Sequence, residues 1–119
     1  MITKIIVAII ALQHIWILTL EMFFWTKPQG RKVFGTTAEF AKATRVLAAN
    51  QGLYNGFLAA GLFWALLMPH PAFQYYLEVF FPSCVLVAGV FGGLTANKKI
   101  LIGQAGPALV GLVARLLSL

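Results

Sequence analysis

Four apolar stretches, at about 3–25, 45–68, 74–97 and 100–118, take up most of this chain. Each supplies the ~20 residues needed to cross the hydrocarbon core of a bilayer. In lipid every backbone N–H and C=O must be satisfied from within, and a single stretch of this length achieves that only as a helix. Composition agrees: 61% of the 119 residues are hydrophobic, 10% are charged and the mean hydropathy is +0.88, outside the range of soluble domains. The expectation is an all-α polytopic membrane protein, a single four-helix transmembrane domain over 1–119. Its helices are expected at about 3–25, 37–68, 74–97 and 100–118. Lys4 ahead of the run 5–12 looks like a secretion signal, but the run continues through Trp16 to Trp25. It is too long for a signal core and lacks a small-residue cleavage motif, so it reads as a retained helix.

The net charge of +6 is a topology signal and not a nucleic-acid footprint. Lys27, Arg31, Lys32, Lys42 and Arg45 lie in or beside the first loop, Lys98 and Lys99 in the third, and the second carries only His70. The positive-inside rule then puts loops one and three in the cytoplasm and both termini outside. Lys4 and Arg115 run against this pattern and are expected to snorkel to the far interface. Cys84 is the sole cysteine, which excludes an intrachain disulfide, and no electropositive neighbour in sequence activates it. It reads as a packing residue.

Trp25, Lys27, Pro28 and Gly30 end the first helix. Thr36 and Glu39 fit a capping box for the second. A helix over 37–67 would be about 46 Å long, so its first turns should project beyond the ~30 Å hydrocarbon core. Pro69 and Pro71 force a tight turn, 97–99 forms another, and helices three and four therefore make an antiparallel hairpin. Gly103, Gly106 and Pro107 favour a kink in the fourth helix. Gly52, Gly56 and Ala60 form one row of small residues, and Ala88, Gly92 and Ala96 another beside Gly89 and Gly93. Such rows let helices approach closely in lipid, and four helices offer few surfaces to use them all. A homo-oligomer is the expected assembly.

The second helix carries Arg45, Asn50, Gln51, Tyr54 and Asn55 where hydrocarbon is expected. Side-chain amides in lipid need a partner or water. Measured from Trp25, Glu21 lies about 6 Å and His14 about 16 Å into the membrane, and seven residues put them on one face. Measured from Arg45, Asn50 is about 7 Å deep and Tyr54 and Asn55 about 14 to 15 Å. Gln104, on helix four, matches the depth of Asn50. Glu21, Arg45, Asn50, Gln51 and Gln104 thus form one layer, with His14, Tyr54 and Asn55 above it. A Glu21–Arg45 ion pair with helix-bridging amides is one reading; a polar cavity open to the cytoplasmic leaflet is the other. No second His or carboxylate stands at ligand spacing, so no metal site is expected. Glu78 is expected to face the outer interface or to cap polar groups there; Tyr75, Tyr76 and Trp25 read as interfacial belt residues, and Trp16 and Trp64 as packing.

The string 14–23, the block 50–62 and the segment 88–94 resemble an uncharacterised family of small bacterial membrane proteins, the domain of unknown function 1304. That resemblance implies four transmembrane helices and no assigned activity. Arg45, Asn50 and Phe57-Leu58 resemble, over ~14 residues, the second helix of the membrane-associated eicosanoid and glutathione (MAPEG) proteins, and this resemblance implies a trimer. Those are four-helix homotrimers with a glutathione site between subunits at the cytoplasmic side. Leu53 stands at their Glu position, Gly56 stands near their Pro, and the third helix lacks their Arg.

The leading expectation is a membrane protein that binds an amphipathic or lipophilic small molecule in the cytoplasmic half of a MAPEG-like antiparallel bundle. Arg45 would hold an anionic group, and Glu21 would position Arg45. Asn50, Gln51, Asn55 and Gln104 would orient the ligand, with His14 and Tyr54 as candidate catalytic groups. Its partners would be membrane lipid and that ligand, with glutathione as the cofactor the resemblance implies. Two other classes fit the same residues: a small transporter or channel component with a His14/Glu21 proton relay, and a structural membrane subunit in which the polar row is glue.

Overall fold

A computed structural model describes all 119 residues, and every regular element in it is helical. The order is α1 (Ile2–Phe23), α2 (Pro28–Phe34), α3 (Ala38–Ala43), α4 (Arg45–Leu67), α5 (Pro71–Thr95), α6 (Lys98–Ile100), a π-helical turn (Leu101–Ala105) and α7 (Gly106–Leu116). Three helices are long and apolar enough to cross a membrane: α1, α5 and the continuous Lys98–Leu116 segment. The 23-residue α4 does not reach that standard of hydropathy. It has the length, but Arg45, Asn50, Gln51 and Asn55 dilute its apolar content.

Contacts divide the chain into two compact units: residues 13–57 form one, and 1–12 with 58–119 form the other. In the second, Val7, Ile10, Ala11, Leu62, Val85 and Ala108 are fully buried together. The α5–α7 hairpin closes tightly there. A Cβ on Gly89 would lie 2.6 Å from the Ala105 nitrogen, and one on Gly93 would lie 2.7 Å from the Leu101 Cβ. Gly89 and Gly93 are buried whereas Ala88 and Ala96 are exposed. The seam therefore uses the neighbouring register to the Ala88–Gly92–Ala96 row, because only glycine accommodates backbone this close.

The fourth helix departs from α geometry where Gly103, Gly106 and Pro107 suggest a kink. The Gly106 amide bonds to the Leu101 carbonyl five residues back, completing the π turn immediately before Pro107. Proline lacks an N–H to continue the ladder, and a wider turn ahead of it absorbs the mismatch.

In residues 13–57, α1 and α4 run antiparallel. Gly56 faces Leu18, while Gly52 faces Met22, Glu21 and the Leu18 carbonyl. The helix expected over 37–68 is broken at Thr44, whose φ and ψ are −104° and 9°. Its hydroxyl accepts the Trp25 indole N–H at 3.0 Å and donates to the Phe40 carbonyl at 2.7 Å. The N-cap of α3 is Thr37, which accepts from the Phe40 amide at 3.2 Å, one residue beyond the expected Thr36 box. Between α1 and α3, the sequence expected as loop holds α2, opened by Pro28 and ended by Gly35 at φ 66°. Gly35 adopts the left-handed conformation that glycine takes without steric cost.

Candidate functional site

Residues 13–57 contain every candidate site residue except Gln104, which belongs to the other unit. The α1–α4 crossing positions the interior of the site. Gly52 and Gly56 let α4 approach α1 closely, and this brings Asn55 to Glu21. The Asn55 amide nitrogen donates to a Glu21 carboxylate oxygen at 2.5 Å and also to the Gln51 carbonyl at 3.2 Å. Glu21 is 8% exposed and His14 1%, so two ionisable groups of α1 are withdrawn from the surface. A hydrogen bond to a buried carboxylate is among the stronger polar contacts, and removing either partner leaves the other unsatisfied.

The remaining expected ligands face outward. Arg45, Asn50, Gln51 and Tyr54 are exposed, Tyr54 to 60%, with its ring edge-on to Phe57 at 5.7 Å. The expected Glu21–Arg45 ion pair does not form. Arg45 heads α4 with its side chain exposed, while Glu21 takes Asn55 instead. Helical spacing explains the division. Ala48, Gly52, Asn55 and Ala59 follow the side of α4 that packs, whereas Asn50 and Tyr54 point away from it and Gln51 lies at its exposed edge. Gln104 is partly buried in the π turn.

A second polar cluster was not visible in the sequence as a site. Glu78, 1% exposed on α5, pairs with Arg115 of α7 at 3.2 Å, and the Arg115 guanidinium stacks over Tyr75 at 4.8 Å from the ring centroid. Glu78 is thus turned inward, and Arg115 is drawn to it where snorkelling to an interface was expected. A carboxylate removed from water must find a cation or neutralise, and Arg115 supplies one. The signal available in sequence was only that each charge interrupts an apolar helix. Tyr75, expected in the interfacial belt, is the stacking partner. Trp16 and Trp64, expected to pack, are more than half exposed. A surface hollow of about 540 Å³ runs along α5 between Phe80 and Phe91 past Ser83, Cys84, Val87 and Ala88, and includes none of the expected ligands.

Two comparisons of the sequence with known proteins agree. The chain is 32% identical over 114 residues, 94% of each chain, to the "Uncharacterized protein YpaA" of Lactococcus lactis subsp. lactis (strain IL1403). No solved structure matches it. A family model described as "Protein of unknown function (DUF1304)" matches residues 8–116, and the chain belongs to that family.

Proposed function

We propose that the protein is a multi-pass integral membrane protein with α4 as its fourth span, and that it binds an amphipathic small molecule bearing an anionic group along the outward polar side of α4. The exposure of Asn50, Gln51 and Tyr54 on a helix flanked by exposed Val46, Leu47, Phe57 and Trp64 carries this reading. Those apolar side chains suit lipid, but bare amides do not, so a polar group must cover them. Arg45, one turn away toward the helix start, has no acidic partner and offers the charge an anionic head would need. The limited resemblance of Arg45, Asn50 and Phe57-Leu58 to the MAPEG second helix supports a site at a subunit boundary of a homotrimer. It does not extend to glutathione chemistry, since Leu53 and Gly56 replace two of that motif's residues. Loops one and three lie in the cytoplasm in this reading, as their lysines and arginines favour.

Native mass spectrometry of the protein purified in mild detergent tests the proposal by counting copies of the chain and co-purifying amphiphiles. A charge-assisted contact is worth about 1.5–3 kcal/mol, so Arg45→Ala is expected to reduce retention roughly tenfold or more, and Asn50→Ala somewhat less. Unchanged retention in both variants, with helical content intact, sinks the binding site and leaves the polar row as contact between helices of neighbouring copies.

A further inference from the structure

The segment joining α1 to α4 is more ordered, more basic and more apolar on its outside than a connection requires. Trp25 and Thr44 tie its two ends, and Phe34 stacks on Trp25 with ring centroids 4.9 Å apart. Gly30 is buried against the Phe24 carbonyl so closely that any side chain would collide with it. These contacts hold α2 against the end of α1. Around this core stand exposed Lys27, Lys32 and Lys42, half-buried Arg31 and a single acidic residue, Glu39. Between the charges, Phe23, Val33 and Phe40 are each more than half exposed. Cations interleaved with outward apolar side chains make the pattern of a helix lying in a bilayer interface, apolar groups entering the acyl boundary and charges meeting headgroups.

A second observation narrows the ligand. The left-handed turn at Gly35 folds the chain back on α2, so that the Gly35 and Thr36 amides both reach the Arg31 carbonyl, the latter at 3.1 Å. Beside this turn, the Arg31 Nε and the Thr36 hydroxyl are both enclosed and both lack a hydrogen-bond partner. Enclosed polar atoms left unsatisfied are costly, and here a cationic donor and a hydroxyl flank one turn. A guanidinium donates to phosphate oxygens through several N–H groups, so the half-buried Arg31 at this turn suits an oxyanion.

We infer that the α2–α3 segment is a docking surface for anionic phospholipid, with the phosphate seated at the Arg31–Thr36 turn and Lys27, Lys32 and Lys42 facing the surrounding anionic headgroups. Charge complementarity selects the anionic lipid over a zwitterionic one, and the exposed Phe23, Val33 and Phe40 select a lipid over a free ion. This site is separate from the outward side of α4 and does not rest on the small-molecule reading proposed for it.

The test measures lipid binding to the full-length protein in mild detergent by native mass spectrometry, adding phosphatidylglycerol or phosphatidylcholine in turn. Each basic side chain near an anionic surface contributes about 1 kcal/mol, or roughly fivefold in affinity. Phosphatidylglycerol is therefore expected to bind at least tenfold more tightly than phosphatidylcholine. Arg31→Gln/Lys32→Gln, which removes two such contributions, should erase that preference. If the Arg31 variant does not fold, Lys32→Gln/Lys42→Gln, both fully at the surface, should show a comparable loss. Lys98→Gln/Lys99→Gln removes the same charge from the α5–α6 turn and should leave the preference in place. Equal binding of the two lipids overturns the inference. So does a preference that survives the Lys32/Lys42 variant or is lost equally in the Lys98/Lys99 variant. Displacement of phosphatidylglycerol by millimolar inorganic phosphate alone would identify a free-anion site and overturn the lipid assignment.

Discussion

Glu78 and Arg115 show how a residue's surroundings decide its meaning. Each, read within its own helix, is a charge interrupting hydrocarbon; only the α5–α7 hairpin makes them a pair with Tyr75 stacked on the cation. Breaking a buried pair commonly costs about 3–5 kcal/mol because the surviving charge is stranded. The Arg115 side chain is 25% exposed, so water softens that cost on its side. Glu78→Leu is therefore expected to lower stability toward sodium dodecyl sulfate unfolding by about 2–4 kcal/mol, and Arg115→Met by a similar amount. The double variant, with no orphaned charge, should regain most of the loss. Strict additivity of the two effects would show that the pair is not coupled. The Glu21 surroundings were legible only in part. Spacing puts Glu21 and His14 on one face, and both are buried, but the partner of Glu21 is Asn55 and not Arg45, since the close approach at Gly52 and Gly56 fixes which side chain α4 presents.

At the scale of elements, periodicity located the long apolar helices well, because apolar runs and proline punctuation are local signals. It could not choose between small-residue rows. Ala88–Gly92–Ala96 and Gly89–Gly93 have the same spacing and sit one residue apart, and only the path of the π turn at Leu101 and Ala105 selects the second. That selection has a measurable sign. Gly89→Ala would bring a methyl to 2.6 Å from backbone that cannot rotate away, so a loss of about 1–3 kcal/mol is expected in the same unfolding assay. Gly103→Ala places its methyl in open space and should change stability by less than about 0.5 kcal/mol. A neutral Gly89→Ala would mean the seam is looser than the structure has it. The break at Thr44 was hidden for a different reason. Nothing in the residues 37–67 forbids one helix; the interruption depends on Trp25, contributed from beyond α1, reaching the Thr44 hydroxyl.

For the whole molecule, the all-helical class and the presence of apolar helices able to cross a membrane were legible from hydropathy, because lipid imposes one requirement on every residue it touches. The number of spans was less so: α4 has the length, but its amides keep it below the hydropathy that marks the other three. Orientation can be read with single cysteines in a Cys84→Ala background. A membrane-impermeant maleimide applied to intact cells is expected to label His70→Cys, whereas Lys32→Cys and Lys99→Cys should react only after lysis. The reverse pattern would invert the charge argument, and equal labelling of all three would count against a fixed orientation. The hydrogen bond between Trp25 and Thr44 has a separate consequence. The chain leaves α1 and re-enters α4 at points clipped to one another, so the intervening residues work as a cassette rather than a tether. Changes within that cassette therefore need not disturb the register of the paired helices.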